Sequence, residues 1–286
     1  MKKLPSKLKN NFEVNLEDTI NSGQVFLWKK INSKWYGING TNILVFGDSL
    51  GIKSKKIHDF FRFEDDFQRI KKELSKDEIL KKAIKNFPGM RILRQNPFQC
   101  YISFIVSSNS NIPNIQTRLE KLCIAFGEKN IKDEHEFFLF PQPEQLANAS
   151  INDIAKCGLG YRSKYVKKAA MAVNDGIINF TSLKKQNYHN ARDELCQVFG
   201  IGKKVADCIL LFSLDKLDAV PLDRWVLRIL EKYYSEEFKI KTKTITDKTY
   251  DELHDKIVEH FGEYAGYAQQ FLFKNERESF EKKWLG

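Results

Sequence analysis

The stretch CQVFGIGKKVADCILLFSLDKLDAVPLD, residues 196–223, contains two helix-forming segments joined by a glycine turn, and it ends in an extended segment with a proline. Gly200 and Gly202 flank Ile201, and glycine lets a backbone turn sharply and approach a partner closely. The second helix is predicted to begin just after the turn, so its free N–H groups point back toward the turn. Such a helix start suits a phosphate, although an ordinary helix–turn–helix corner explains the glycines equally well.

Two lysines follow the turn, and their expected surroundings differ. At about 100° per residue, Lys203 lies opposite the apolar face of the helix, toward solvent or phosphate, and Lys204 lies at the margin of that face. Burial, the helix dipole and the neighbouring positive charge are all expected to lower the pKa of Lys204. A lysine that loses its proton near neutral pH is a nucleophile; the alternative is a solvated lysine at a helix start.

Asp223 closes the segment AVPLD and precedes the amphipathic stretch RWVLRILEKYY, residues 224–234. Capping of that helix explains an aspartate here without any catalytic role. A carboxylate held rigidly at a helix N-terminus can also stabilise a cationic sugar while a base departs. A lysine nucleophile and a fixed carboxylate together are the minimum needed to cleave a glycosidic bond through a Schiff base.

The rest of the chain changes character at Pro88-Gly89. Before this pair, segments rich in β-branched and aromatic residues alternate with turn residues, which predicts an antiparallel meander; these segments are VFLWKKI, KWYGI, ILVF and LGIKSK. A helical stretch is expected to follow over about residues 58–87. After the pair, the chain is mostly helical. We predict an α+β fold in which a small antiparallel β-rich domain, residues 1–89, packs on an all-helical domain, residues 90–286.

Composition narrows the class of protein. Among 286 residues, 47 Lys and Arg outnumber 37 Asp and Glu, for a formal net charge of +10, which favours a polyanionic partner such as nucleic acid. The 5 cysteines are an odd number without a CxxC pair, which argues against disulfides and a thiolate zinc site. No HExxH spacing occurs, so no catalytic metal is expected. The chain has no membrane-length apolar run and no apolar leader, so we expect a cytoplasmic protein that does not bind membranes. We also expect it to act as a monomer.

Several segments are similar to the DNA glycosylase superfamily whose signature is a helix–hairpin–helix, a Gly/Pro-rich segment and an aspartate. Within it, the chain resembles the 8-oxoguanine DNA glycosylases that also cleave abasic strands. The similar stretches follow in order along nearly the whole chain: SGQVFLW (22–28), GMRILRQNPFQC (89–100), SSNSNI (107–112), GLGYRSKYV (158–166), GIGKKVADC (200–208) and YAGYAQQFLF (264–273). The resemblance implies a β-rich domain packed on a helix–hairpin–helix glycosylase domain, which flips a damaged nucleotide out of duplex DNA into a pocket.

The same resemblance implies roles for the residues of the hairpin region. Lys204 would be the Schiff-base nucleophile and Asp223 the catalytic carboxylate. The backbone N–H groups of Gly200, Gly202 and Val205 would bind a DNA phosphate, together with a structural monovalent cation at the hairpin. No other cofactor is implied.

The resemblance also implies how the lesion is read. The N7 atom of guanine is an acceptor, whereas 8-oxoguanine carries an N7–H donor that a backbone carbonyl at Gly23 can accept. Gln269 and Phe273 share a helix face, where an amide can read the base edge while a ring stacks on it. Cys208, one turn after Lys204, would form the opposite wall. If the resemblance is set aside, the sequence explains Gly23 as a turn glycine, Phe273 as a core residue and Cys208 as a small buried residue.

Further positions match residues that act on the DNA around the lesion. Asn109 and Tyr161 correspond to residues that fill and wedge the gap left by the flipped base, and Arg162 to an arginine facing the orphaned cytosine. A helix cap, a half-buried tyrosine and a generic phosphate contact are the alternatives. Asn114 stands where the eukaryotic relatives have a second cytosine-reading arginine, which questions a strict cytosine preference. Trp225 replaces their histidine, which implies a different pocket near the lesion phosphate.

The leading hypothesis is a bifunctional base-excision-repair enzyme that removes 8-oxoguanine from double-stranded DNA and nicks the abasic strand by β-elimination. One alternative is a glycosylase for a ring-opened purine or an alkylated base, although a pure alkylbase enzyme would not need Lys204. Another is a non-catalytic helix–hairpin–helix module that only docks on DNA. Such a module would carry an inert residue in place of Lys204 or Asp223.

Overall fold

The structure is a computed structural model, and it describes residues 13–47, 54–238 and 245–285. Its N-terminal part contains a 3-stranded antiparallel sheet in the order β1-β2-β3, formed by Trp28–Ile31, Lys34–Asn39 and Asn42–Phe46. The connecting turns contain Asn32 at φ +54° and Gly40 at φ +62°, conformations that suit tight hairpins. The predicted meander is confirmed for these strands. The LGIKSK segment lies mostly outside the described residues, and its last residue begins a helix.

A small aromatic core holds this sheet together. Trp28 in β1 is 8% exposed and stacks on Phe60 with ring centroids 5.4 Å apart. Gly37 lies opposite Trp28 in β2, and a Cβ atom there would be 2.0 Å from the indole ring. Only a residue without a side chain therefore lets the indole lie flat on the sheet.

Helices form most of the remaining structure. Their bounds are α1 Leu16–Ile20, α2 Lys55–Phe60, α3 Phe67–Leu74, α4 Glu78–Asn86, α5 Pro97–Ser107, α6 Ile112–Phe126, α7 Pro143–Asn148, α8 Ile151–Ile154, α9 Arg162–Asn174, α10 Phe180–Lys185, α11 Tyr188–Cys196, α12 Lys203–Ser213, α13 Arg224–Tyr233, α14 Asp247–Phe261 and α15 Ala265–Leu285. A π-helical turn follows α8, and a 3-10 turn precedes α15. The predicted α+β fold class is confirmed.

Two local features differ from the sequence-based expectation. The helical stretch expected over residues 58–87 is divided, because Asp66 and Asp77 cap new helices by accepting backbone N–H groups at the starts of α3 and α4. The helical domain also contains an antiparallel hairpin, β4 Lys129–Lys132 and β5 His135–Phe138. Its exposed, charged residues hide the alternation of a strand, and its contacts with the first sheet, such as the stacking of Phe137 on Tyr36, come only from the tertiary fold.

The main hydrophobic core surrounds α5 and α12, which pack against each other. Residues of α12 are buried from Val205 to Ser213, so only the first turn of this helix reaches the surface. The same core includes Phe26 and Tyr36 from the N-terminal part. The boundary at residue 89 stays a prediction.

In the described parts of the chain, no helix combines the length and the apolar character needed to cross a bilayer. All of the cysteines are free thiols, and only Cys196 is not buried.

Candidate active site

The hairpin turn between α11 and α12 depends on its first glycine. Gly200 has φ +95°, and a Cβ atom there would lie 2.4 Å from the Tyr165 ring. Gly202 is exposed, with extended backbone, and forms the N-cap of α12. The chain therefore makes a sharp turn that only glycine permits at the first position, and it leaves the helix start open to a partner.

The free N–H groups at this turn determine what it can bind. Within the described residues, the N–H groups of Gly200 and Gly202 donate to no carbonyl, whereas that of Val205 donates to the Gly202 carbonyl at 3.0 Å. Two of the three predicted donors are thus available to an anion at a helix N-terminus. The third is already engaged in the free protein.

Lys204 lies at the end of the buried part of α12, with Nζ 5.7 Å from the centroid of the Phe104 ring. Desolvation lowers the pKa of this lysine, but interactions with Cys208 and Asp223 raise it and prevail, so its pKa lies above the usual value. The expectation of a lowered pKa is therefore wrong for the free protein. Sequence reasoning included burial and the charge of Lys203, but it could not place the stabilising groups around the ammonium.

Asp223 occupies the N-cap of α13. Its Oδ1 accepts the N–H groups of Trp225 and Val226, each at 2.9 Å. Its Oδ2 accepts no hydrogen bond from the described residues. The capping role is thus real, and it holds the carboxylate rigidly while one oxygen stays available for another partner.

A recess between the helices brings the predicted catalytic and substrate-binding residues together. The predicted residues that line it are Gly23, Lys204, Cys208, Asp223, Gln269 and Phe273. Phe104, Phe212 and Pro221 are among the other side chains of the wall. These residues come from the N-terminal loop, α5, α12, the segment before α13, and α15, so only the tertiary fold assembles them.

The loop that carries Gly23 is held by a buried glutamine. The amide nitrogen of Gln24 donates to the Ser22 hydroxyl and the Arg91 carbonyl, both at 2.8 Å, and its Oε1 accepts the Leu93 N–H at 2.7 Å. Gln24 is 0% exposed. Because a buried amide with satisfied hydrogen bonds cannot move without leaving unpaired groups, the loop is fixed in place.

Gly23 itself needs the freedom of glycine. Its φ is +88°, and a Cβ atom would lie 3.4 Å from Phe273 Cε1 and 3.3 Å from Arg277 Nη1. A second glutamine, Gln270, ties the loop to α15 by donating to the Ser22 carbonyl at 2.9 Å. The backbone of Gly23 and the ring of Phe273 therefore form one continuous wall.

Gln269 and Phe273 are adjacent on the face of α15 that lines the recess. Gln269 is 7% exposed, and its Oε1 has no hydrogen-bond partner among the described residues. Phe273 is partly exposed and lies outside both buried cores, so the core alternative does not describe it. Its ring meets Trp225 edge-on at 6.5 Å. A buried acceptor without a partner is uncommon in folded proteins and fits a ligand that brings the donor.

Cys208 forms part of the same wall and is 3% exposed. Burial raises the pKa of its thiol to about 12. It is therefore a protonated, compact side chain at neutral pH, and it packs as a small hydrophobe beside Lys204.

A wide groove adjoins the recess and shares Lys204 and Asp223 with it. Other predicted residues that line the groove are Asn109, Asn114, Gly202, Lys203, Val205 and Trp225. Lys203 is less free than expected, because its Nζ pairs with Asp251 Oδ2 at 2.7 Å and donates to the Asp247 carbonyl at 2.9 Å. Its predicted exposure to solvent is wrong for the free protein, since α14 supplies a carboxylate that local sequence does not reveal; its contact with a DNA phosphate stays a prediction.

The loop that carries Asn109 is supported by Arg162. Arg162 is 6% exposed, and its Nε donates to the Ser108 carbonyl at 2.8 Å while Nη2 donates to the Asn109 carbonyl at 3.1 Å. Asn109 is exposed at φ +49°. It does not cap a helix, since Asn111 caps α6. In the free protein Arg162 thus holds the loop rather than standing in solvent.

An exposed row of aromatic rings runs from α9 to the hairpin. Tyr161 is 52% exposed and contacts Tyr165 with centroids 5.7 Å apart, and Tyr165 contacts Phe199 at 5.2 Å. Phe199 is 62% exposed at the hairpin tip. Sequence reasoning did not single it out, although a large apolar residue directly before a turn glycine is a usable signal of a contact surface.

Comparison with known proteins agrees with this geometry. Residues 102–256 match the model of the HhH-GPD superfamily of base excision DNA repair proteins, and residues 52–101 match that of the 8-oxoguanine DNA glycosylase N-terminal domain. The N-glycosylase/DNA lyase OGG1 of Arabidopsis thaliana is 32% identical over 290 residues, covering 94% of this chain and 79% of the relative. The chain belongs to the 8-oxoguanine DNA glycosylase family.

Solved structures of this glycosylase family are similar over nearly the whole chain. MBOgg1 in complex with a low-affinity DNA ligand has a TM-score of 0.84 at 34% identity, and each chain is covered to 93%. The Clostridium acetobutylicum 8-oxoguanine glycosylase/lyase, in complex with double-stranded DNA containing cytosine opposite 8-oxoG, has a TM-score of 0.82 at 30% identity with the same coverage. The present glycosylase is thus an N-glycosylase and DNA lyase of base-excision repair, and its partner is DNA, which confirms the predicted enzyme class.

Proposed function

We propose that the enzyme excises 8-oxoguanine from duplex DNA with Lys204 as nucleophile and then nicks the abasic strand. The observation that supports these roles is the single recess in which Lys204 and Asp223 meet Gly23, Gln269 and Phe273. It combines a nucleophile, a carboxylate and base-reading groups in one recess, which suits a nucleotide flipped out of the duplex. The non-catalytic alternative would require an inert residue at one of the first two positions.

Recognition of the base is proposed to use the recess walls. The unpaired Oε1 of Gln269 accepts an N–H of the base edge, and the Phe273 ring stacks on the base face. The Gly23 carbonyl accepts the N7–H of 8-oxoguanine, which guanine lacks. Leaving a buried polar group unpaired costs about 1–3 kcal/mol, so the Gly23 contact disfavours the undamaged base, whereas Gln269 and Phe273 would hold either base.

The reaction begins with a protonated Lys204, whose pKa lies above its usual value in the free protein. As the N-glycosidic bond breaks, the base leaves with the electron pair of that bond, and the lysine proton moves to it while the amine bonds to C1′. The carboxylate of Asp223 stabilises the positive charge on the sugar. Ring opening then transfers a proton from nitrogen to O4′ and gives the imine, from which loss of a C2′ proton expels the 3′ phosphate.

Borohydride trapping on a duplex with 8-oxoguanine tests this proposal. We expect a covalent adduct with the wild type and none with Lys204→Gln. Lys203→Gln is the matched control, because it removes the adjacent lysine and should still give the adduct, with weaker binding and a flatter salt dependence. An adduct formed by Lys204→Gln would contradict the proposed nucleophile.

The base opposite the lesion is proposed to be read less strictly than in relatives with two arginines. Asn114 is exposed in the first turn of α6 and lines the groove, and an amide there cannot replace the charge and reach of an arginine. Excision rates with each of the four bases opposite 8-oxoguanine test this. A cytosine preference equal to that of an arginine-bearing relative would contradict it.

We further propose that the enzyme acts as a monomer on DNA in the cytoplasm and does not bind membranes. One copy of the chain supplies every predicted residue of the recess, so the chemistry needs no second subunit. Light scattering of the protein bound to a short duplex tests the monomer. The monovalent cation at the hairpin stays a prediction, and no step above uses it.

A further inference from the structure

A buried carboxylate lies next to the proposed nucleophile on α12. Asp207 is 0% exposed, and it follows Lys204 by nearly one helical turn. Its Oδ1 accepts the Tyr188 hydroxyl at 2.8 Å, and its Oδ2 accepts the Tyr250 hydroxyl at 2.5 Å. Burying a carboxyl group is costly unless both oxygens are satisfied, so these hydroxyls keep Asp207 in place.

The two tyrosines differ in what else they hold. The Tyr250 oxygen also accepts the backbone N–H of Leu222 at 3.1 Å, and Leu222 directly precedes Asp223. The Tyr188 oxygen accepts Arg192 Nη1 at 3.2 Å, and it has no hydrogen bond with residues 220–223 in the described structure. Of the two tyrosines, Tyr250 is therefore the one whose hydrogen bonds, among the described residues, connect the helix of the nucleophile with the segment of the catalytic carboxylate.

This connection matters because the segment before Asp223 is extended. Leu222 is 5% exposed, so without Tyr250 its N–H would be buried and unpaired. The segment would then move to find another acceptor, and the carboxylate would move with it. A displacement of about 1 Å at a reacting centre can cost about a hundredfold in rate.

We propose that Tyr250 is a positioning residue for base release, which together with Asp207 holds Asp223 in register with Lys204. The inference rests on the proposed roles of Lys204 and Asp223. Tyr250 lines the groove beside the recess but belongs to α14, which supplies none of the predicted site residues. It acts through the carboxylate and does not itself react.

The test compares Tyr250→Phe with Tyr188→Phe, since each removes one hydroxyl from the same carboxyl group. Two activities are measured: single-turnover release of 8-oxoguanine, and borohydride trapping on a preformed abasic site, where no base has to leave. For Tyr250→Phe we expect base release to fall by about ten- to a hundredfold while trapping stays within about threefold of wild type. For Tyr188→Phe we expect both activities within about threefold of wild type.

Three results would overturn the inference: unchanged base release in Tyr250→Phe, an equal loss in Tyr188→Phe, or an equal loss of release and trapping in Tyr250→Phe. The last would mean that the hydroxyl supports the lysine or the fold and not the carboxylate. A second pair works even if Tyr250→Phe does not fold. Asp207→Ala should lower base release and spare trapping, and Asp207→Asn should restore release, because an amide still holds Tyr250; failure of that rescue counts against the inference.

Wild type and Lys204→Gln in the same assays separate the two hypotheses. If wild type forms no adduct, or Lys204→Gln forms one, the proposed function fails. If both behave as expected and Tyr250→Phe equals wild type, only the positioning role fails.

Discussion

The inner part of the recess and the exposed rim around Tyr161 are built differently. Inside, hydrogen bonds fix most of the buried polar groups: Asp207, near Lys204, accepts two tyrosine hydroxyls, and Gln24 holds the loop of Gly23, although the Gln269 Oε1 has no partner among the described residues. At the rim, Tyr161 is more than half exposed. Catalysis needs fixed geometry, which the folded protein supplies in advance, whereas an exposed aromatic ring at the rim leaves its contact surface open to a partner.

The substitution Asp223→Asn tests whether the fixed carboxylate inside the recess acts in catalysis, and it has the largest expected effect. Asparagine caps a helix about as well as aspartate, so the change of cap alone should alter the free energy of unfolding by less than about 0.5 kcal/mol, and any further loss measures the attraction between Asp223 and the buried Lys204 ammonium. Loss of the negative charge should slow excision by about a hundredfold or more, because the cationic sugar is no longer stabilised. Single-turnover kinetics and urea denaturation measure the two effects. Asp66→Asn, at the N-cap of α3, is the control and should leave excision unchanged. If both variants excised 8-oxoguanine at equal rates, Asp223 would have no role beyond capping α13.

A pH dependence of stability would sharpen the description of the interior. Burial raises the pKa of Asp207 to about 7, so between the unfolded-state value and pH 7 the folded protein binds more protons than the unfolded chain. This stability contribution is present at low pH and is lost as the pH rises. Relative to Asp207→Asn, the wild type should lose about 2 kcal/mol between pH 5.5 and 7. Urea titrations at these two pH values test it, and a constant difference between the proteins would refute it.

Gly23→Ala tests the part of the recess wall that the Gly23 backbone and the Phe273 ring form. The positive φ costs about 1–2 kcal/mol with a side chain, and the new Cβ would press on Phe273 and Arg277. We expect about a tenfold loss of excision and a smaller preference for 8-oxoguanine over guanine. Gly176→Ala is the matched control, with φ +75° and no atom within 4 Å of its Cβ position. It should destabilise the fold similarly without altering excision; a parallel loss in both variants would point to general strain.

The smallest effect is expected at the rim. Tyr161→Ala should weaken duplex binding by about fivefold, in line with the loss of one aromatic contact, and should leave the salt dependence of binding unchanged. Met171→Ala, at an exposed apolar residue within α9 with 40% exposure, is the control and should bind normally. Binding isotherms at several salt concentrations measure both quantities. A changed salt slope for Tyr161→Ala would mean that the tyrosine acts through phosphate contacts instead.

Much of the fold was predictable because its signals are local. The strands β1 to β3 are separated by turn residues whose conformations suit hairpins, and the glycine turn before α12 needs a positive φ at Gly200. Motifs around Lys204, Asp223 and Gln269 could likewise be assigned by position in the family pattern. The hairpin β4–β5 was missed because its stability comes from contacts such as Tyr36 with Phe137, about a hundred positions apart.

The sequence by itself determined the fold class, the glycine turn and the candidate residues, since propensity, capping and motif spacing act over a few residues. Only the tertiary structure decided their electrostatic state. It paired Lys203 with Asp251 across 48 positions, raised the pKa of Lys204 through Cys208 and Asp223, and enclosed Asp207 between two tyrosines. Charges and hydrogen bonds depend on distance in space and on exclusion of water, and neither can be read from the order of residues along the chain.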